Sequence, residues 1–473
     1  EIKTMKNEKF IDFFEAQLIL LLNSLKNNDY KKSTSYLNSL KLHKEEGTFE
    51  LIVSSFLEQY VYLFNNKEIK TNSEYQFGSL DLINNALQSC YLGKSNTELL
   101  FDKIIKLNDE GGSRYLFFYT NYLLSQNNLT KVKSIFKNID SLNTTLLTAQ
   151  SKEWVDQENY DNFAKIFSCK NSSDLIAELL FIISNLYSSE GELEKSNFYF
   201  NLSNYLNPKF KFNFTLQSEN YLEKEDFDKL KNVLKNFNKK NQVYYWYKIK
   251  KTAQIIDKKN SSEQAFNYIK TEFNKINNPS LKMIYEMGNI VKGFKKYDLS
   301  IKYYSKVLSQ IDSSSTMYAN ILYRRGGSYE KIGNEKKLDE DLLKSLEINP
   351  NEPHVLNYLA YAWLERNYRI DDAIDMLEKA YAQSKNDPYI IDSIGWAYYL
   401  TGDYVRAENL LRKAVELMPS DPIVNDHYGD ILWKLDRKMQ ANYFWNNVLS
   451  FEDTEDQMKK DIHYKIFKGP KEI

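Results

Sequence analysis

Three pairs of residues near the C-terminus are each separated by 34 positions: Pro388 and Pro422, Gly395 and Gly429, Ala407 and Ala441. A fixed period of this size means that one structural unit recurs and stacks on its copies, because no unit so short buries an apolar face alone. Within one period, Ile391, Ile394 and Tyr398 are spaced as one face of a helix. Thr401-Gly402-Asp403 then interrupts the pattern, with Gly402 suited to a left-handed C-cap and Asp403 to an N-cap. A second helix carries Ala407, Leu411, Ala414 and Val415 on one side and stops before Pro419. Gly395 and Ala407 mark the place where the two helices cross too closely for a larger side chain.

The same phase runs upstream. Gly326, Tyr329, Leu338, Leu342, Ser345 and Pro350 form one unit, and Gly288, Ser300, Tyr304 and Val307 another. Ala253, Ala265 and Ile269 fit a third, Ser218, Tyr221, Leu230, Leu234 and Phe237 a fourth, and Ser184, Gly191, Ser196, Phe200, Ser203 and Pro208 a fifth. The unit around Ala360 and Ala373 carries one extra loop residue near Asn367. Before residue 180 the pattern decays. Thr120, Val132, Phe136 and Ile139 keep the phase, as do Leu21, Ser33, Leu37 and Leu40, while Ser55, Ala86 and Ser151 fit it loosely.

The order small, aromatic, small, large, small, proline is carried by Gly395, Tyr398, Ala407, Leu411, Ala414 and Pro419. It resembles the tetratricopeptide repeat, with Ile391 where that pattern usually has Trp. The resemblance implies an all-α, right-handed superhelical solenoid of helix-turn-helix repeats, with about thirteen helix pairs filling the chain. Divergent repeats are expected over 1–175, regular ones over 176–450, and a capping helix and tail over 451–473. The cap is placed at Glu455 to Phe467, and breaks in register at Asn66–Ser73 and Gly111–Ser113.

Composition agrees with helices. The chain holds only 15 Gly and 8 Pro, too few for many hairpin turns, and its 36 Tyr and 27 Phe supply large packing surfaces. With 63 basic and 64 acidic residues the net charge is −1, so no basic excess exists to neutralise nucleic-acid phosphates. No apolar run is long enough for a membrane span. The chain opens at Glu1, without a start methionine or an apolar signal segment. Any targeting segment or membrane anchor is therefore expected to precede this sequence.

Motifs for catalysis are missing. There is no phosphate-binding glycine loop, no His-x-x-x-His pair and no Gly-x-Ser-x-Gly elbow, so neither a cofactor nor a metal is expected. His43, His354, His427 and His463 each stand alone. His427 beside Asp426 reads either as half of an acid–base pair or, more simply, as a helix-surface histidine. Cys90 and Cys169 have no partner at metal-ligand spacing and read as buried thiols in apolar helices.

In a tetratricopeptide superhelix the first helix of each unit lines the concave face. Helical phase places His354, Asn357, Tyr361 and Leu364 there, then Tyr389, Asp392, Trp396 and Tyr399, then Ile423, Asp426, Asp430 and Trp433. Asn357, Asp392 and Asp426 share one position, forming a ladder of short polar groups flanked by aromatics. Such a ladder suits the backbone of an extended peptide, with a few aromatic anchors each worth about 2 kcal/mol or more. It equally suits hydrogen bonds between neighbouring helices, and the sequence leaves both open. No Lys/Arg set at these positions provides the carboxylate clamp found in some tetratricopeptide proteins.

A narrower resemblance rests on Leu356-Asn357-Tyr358-Leu359-Ala360-Tyr361, Asp392-Ser393-Ile394-Gly395-Trp396 and His427-Tyr428-Gly429-Asp430-Ile431-Leu432-Trp433. These runs are similar to bacterial cell-envelope tetratricopeptide proteins, among them outer-membrane lipoprotein adaptors that hold a periplasmic carboxyl-terminal processing protease and present substrates to it. The resemblance covers residues 280–450. It implies a non-enzymatic adaptor on the periplasmic side, with a protein or peptide partner. The second expectation is a regulatory or structural subunit of a cytoplasmic assembly.

Overall fold

The computed structural model describes residues 13–43, 47–70, 75–107, 112–452 and 454–470. Among them every long element is an α-helix and there is no strand. None of the described helices is long and apolar enough to cross a membrane. Glu1 and part of the expected register breaks (71–73 of Asn66–Ser73 and residue 111 of Gly111–Ser113) lie outside the described residues.

The chain forms two compact units, Glu1–Met283 and Ile284–Ile473. The change in repeat regularity near residue 175 falls inside the first. That unit contains α1 (Phe14–Lys26), α2 (Tyr30–Leu40), α3 (Thr48–Asn66), α4 (Ser79–Leu92), α5 (Thr97–Leu107), α6 (Gly112–Ser125), α7 (Leu129–Lys137) and α8 (Leu146–Asp156). It continues with α9 (Asp161–Ile166), α10 (Ser172–Ser189), α11 (Leu193–Leu206), α12 (Phe214–Glu223), α13 (Phe227–Leu234), α14 (Gln242–Lys259) and α15 (Ser262–Phe273). α16 (Leu281–Gly293) crosses the boundary, and the second unit goes on with α17 (Tyr297–Leu308), α18 (Thr316–Lys331), α19 (Glu335–Ile348), α20 (Pro353–Glu365) and α21 (Ile370–Gln383). It ends with α22 (Pro388–Leu400), α23 (Tyr404–Leu417), α24 (Pro422–Lys434), α25 (Lys438–Ser450) and α26 (Asp456–Lys468).

From α10 to α25 the helices form consecutive pairs at the positions the repeat phase assigns. The turn inside a pair needs one residue in the left-handed region. Gly402 supplies it at φ 83°, whereas Asn28, Lys295 and Asp436 adopt φ 56°, 58° and 59° despite their side chains. The next residue is often the N-cap. Asp29, Asp226 and Asp403 each accept a hydrogen bond from the backbone N–H three residues on. In the α20–α21 turn both Asn367 and Arg369 have positive φ, which is how the chain accommodates the extra loop residue.

Four glycines on first helices face a large side chain sixteen residues later. A Cβ would lie 2.9 Å from Tyr304 Cε1 at Gly288, 3.2 Å from Leu342 Cδ2 at Gly326 and 2.8 Å from Leu411 Cγ at Gly395. At Gly429 it would lie 2.6 Å from Trp445 Cδ1. On the second helices Ala373, Ala407 and Ala441 are fully buried at the complementary small position. These contacts hold each pair together, and α20–α25 share one continuous apolar core.

In the first unit helices also meet across long sequence distances. Tyr187 of α10 donates to Glu50 Oε1 of α3 at 2.7 Å, and Lys26 of α1 donates to the Tyr205 carbonyl of α11 at 2.7 Å. Buried Glu178 of α10 accepts from Arg114 Nε of α6 at 2.7 Å, and the guanidinium lies 3.9 Å from the Phe181 ring and 4.9 Å from that of Phe210. Cys90 and Cys169 are not free thiols: they form a disulfide with Cα atoms 5.9 Å apart. Cys169 sits in the turn between α9 and α10, not in a helix. Lys170 beside it donates to the Cys90 and Tyr91 carbonyls at 2.8 and 2.7 Å, satisfying the last turn of α4. A separation of 79 residues conceals this pairing from any local reading.

Candidate functional site

The first helices α20, α22 and α24 stand side by side because the small-to-large contacts fix each to its own second helix. Their facing residues fall into three layers. The outermost is an exposed row: His354, Tyr389 at 57% exposure and Ile423 at 49%. His354 Nδ1 comes within 3.8 Å of Asp387 Oδ2 on the same surface. Asn357, Tyr361, Asp426 and Trp433 are half-buried beneath it.

The third layer corrects the expected peptide-lining surface. Asp392, Trp396, Tyr399 and Asp430 are buried, as is Leu364, with Asp392 at 4% exposure and Asp430 at 3%. They make contacts between helices. Trp396 is stacked against two rings, 4.7 Å from Tyr399 and 4.1 Å from His427, with interplanar angles of 16° and 11°. His427 Nδ1 lies 2.9 Å from Asp392 Oδ2. The histidine is therefore neither on the helix surface nor paired with its sequence neighbour Asp426. Its carboxylate comes from the preceding repeat, 35 residues back. A His one position beyond a full repeat from a ladder Asp is a signal that the sequence did contain.

The charges of this layer are mutually dependent. Burial pushes the His427 imidazole down, but Asp392, with Asp426 and Asp430 behind it, outweighs that and holds it above the ordinary histidine range. Burial and the neighbouring Asp426 charge push Asp430 up to about 6, against the pull of Lys465. Lys465 belongs to α26 and was not anticipated as a site residue. Its Nζ donates to Asp426 Oδ1 at 2.7 Å and to Asp430 Oδ2 at 2.8 Å.

Chemically this arrangement offers exposed side chains above a buried layer of stacked rings and ion pairs. Among the described residues no group of three or more His, Cys, Asp or Glu is placed to hold a metal ion. The first unit adds an open groove of about 490 Å³ whose lining includes Glu194, Asn201, Tyr221 and Lys229, charges of both signs.

Comparison with known proteins locates the repeat. The tetratricopeptide repeat family model matches residues 319–352, the α18–α19 pair. A TPR repeat-containing protein of Pseudomonas aeruginosa is 33% identical over 111 residues, which are 24% of this chain and 19% of that protein. The match thus spans about a fifth of the relative's length. Among solved structures, a tetratricopeptide repeat protein from Parabacteroides merdae aligns at 14% identity and TM-score 0.43, over 53% of this chain and 96% of its own. PilW, a type IV pilus biogenesis factor, aligns at 15% identity and TM-score 0.35, over 41% and 87%. A thermophilic TPR protein from Thermus thermophilus aligns at 15% identity and TM-score 0.34, over 39% and 98%.

Proposed function

We propose that this chain is a non-enzymatic scaffold that binds a protein partner through the first-helix face of its second unit, on the extracytoplasmic side of a bacterial envelope. What carries this reading is the exposed row of His354, Tyr389 and Ile423, repeated on the first helices of three consecutive repeats above a buried aromatic and ionic layer. Large side chains held exposed on a rigid base lose little entropy when a partner covers them, which is how binding energy concentrates in a few anchors. The buried Asp392, Trp396, Tyr399 and Asp430 then act as the base of the surface and not as its contact points.

The disulfide supports the compartment, since structural disulfides persist in oxidising surroundings and are rare in the cytosol. The partner class, a carboxyl-terminal processing protease or its substrates, rests on the likeness of residues 280–450 to envelope adaptors.

A photo-crosslinking amino acid at position 389 or 423, in intact cells, tests the surface. A discrete protein adduct is expected from both positions and not from 439 on α25. Absence of adducts at both, or identical adducts at 439, overturns the reading. Trapping free thiols in the same cells tests the compartment: Cys90 and Cys169 found reduced would favour a subunit of a cytoplasmic assembly.

A further inference from the structure

The last described helix stands in an unusual position. α24 begins at Pro422 and α26 at Asp456, one 34-residue period later, so α26 takes the place of a first helix in a further repeat. Among the described residues no second helix covers it. His463 stands where Gly395 and Gly429 stand in the preceding repeats. Of thirteen residues α22 buries ten and α24 eight, whereas α26 buries only Ile462. Phe467 is 81% exposed.

α26 is therefore held by little apolar surface: Ile462, with Met458 and Ile466 partly buried beside it. Its polar anchor is Lys465 on Asp426 and Asp430. That anchor is incomplete. The second oxygen of Asp430, Oδ1, is buried with no hydrogen-bond partner, although Asp430 is among the most buried residues of α24. A buried carboxylate oxygen left unfilled asks for a further donor, which one ammonium does not reach and the fork of a guanidinium can.

We propose that the seat of α26 is an exchangeable docking site for a basic amphipathic helix of the protein partner, and that α26 is its built-in occupant. The incoming helix carries an Arg or Lys that meets Asp426 and Asp430 and apolar residues at the places of Ile462 and Ile466. Charge complementarity selects it: the seat presents two carboxylates, and the residue this chain itself puts there is a lysine. The proposal rests on the reading of the second unit as a protein-binding scaffold and adds a second contact to it, a partner helix that takes the place of α26 on Asp426 and Asp430.

The test uses the full chain and a fluorescein-labelled synthetic peptide with the sequence of residues 456–468. Lys465→Met in the chain loosens the resident helix, and the labelled peptide should bind this variant about tenfold or more tighter than it binds the parent. A peptide with Met in place of Lys465 should lose that gain, as should a chain that also carries Asp426→Asn and Asp430→Asn. Hydrogen exchange on the unmodified chain gives a second measurement: α26 amides should exchange well ahead of those of α22 and α24. Equal peptide affinity for parent and Lys465→Met, or α26 amides as protected as those of α22, would overturn the proposal. Adducts at 389 and 423 together with a non-exchanging α26 would leave the scaffold standing and remove only the exchange. Exchange without adducts would do the reverse.

Discussion

Replacing three of the crossing glycines by alanine gives a graded test of the helix-pair geometry. The added methyl is the same each time, but what it meets differs. At Gly326 it stands 3.2 Å from Leu342 Cδ2, the free end of a side chain that can turn away. At Gly395 it stands 2.8 Å from Leu411 Cγ, a branch point that moves only with its whole side chain. At Gly429 it stands 2.6 Å from Cδ1 of Trp445, a fully buried indole with no room to rotate. Alanine in a helix interior gains about 1 kcal/mol over glycine, and overpacking costs about 1–3 kcal/mol. Gly326→Ala should therefore fall within about 0.5 kcal/mol of the parent, Gly395→Ala should lose about 1 kcal/mol, and Gly429→Ala about 2 kcal/mol. Stacked repeats do not melt as one unit, so a urea midpoint from circular dichroism needs exchange rates of α24 and α25 amides beside it. In a Trp445→Leu background Gly429→Ala should cost less than half as much as in the parent, because the side chain it clashes with is gone. Equal losses at the three sites, or the reverse order, would refute the assigned crossings.

Other perturbations follow from the ionic and covalent contacts. His427 holds its proton to higher pH folded than unfolded, so its contribution to stability is complete below the unfolded value of 6.5 and is lost as pH rises through the raised one. Trp396 emission should rise over that range as the stacked imidazolium is discharged; a pH-independent signal, or one unchanged in His427→Gln, contradicts the pairing. Glu178→Ala leaves the Arg114 guanidinium largely buried without a countercharge, its bond to Asn213 Oδ1 remaining, and should cost about 3–5 kcal/mol, whereas Arg114→Met with Glu178→Met should cost much less. If the double replacement were the worse of the two by denaturant midpoint, the pair would be contributing net attraction. Reducing Cys90–Cys169 opens a loop of 79 residues and should lower first-unit stability by about 4 kcal/mol on chain-entropy grounds. Identical urea midpoints with and without reductant would exclude that contribution.

How far the sequence revealed this molecule depended on the range of the interaction. The pairing of α22 with α23 is written in Gly395, Gly402, Asp403 and Leu411, all within seventeen residues, and the 34-residue period extends that reading to α10. The α1–α2 turn was legible as well, because Asp29-Tyr30 repeats Asp403-Tyr404, and both aspartates cap the helix that follows. The disulfide was not legible, nor was Glu178 against Arg114, since each joins elements 64 or more residues apart with no period to relate them. The site lies between these cases. Helical phase put Trp396 and Tyr399 side by side, as they stand, but did not give their depth, because depth depends on rings from adjacent repeats closing over one another. His427 and Lys465 supply that closure from one repeat further along.

The tie between residues 90 and 169 also has a mechanical meaning. An array of stacked helices pulled from its ends lengthens by shedding them in turn, each adding the contour length of its residues. With the bond intact, the 79 residues it brackets carry no load and release no length, about 270 Å of extension withheld at roughly 3.4 Å per residue. The force runs through two sulfur atoms and leaves α5 to α9 slack. A chain spanning two points that move apart would keep α5 to α9 from unravelling under tension only where that bond is kept oxidised.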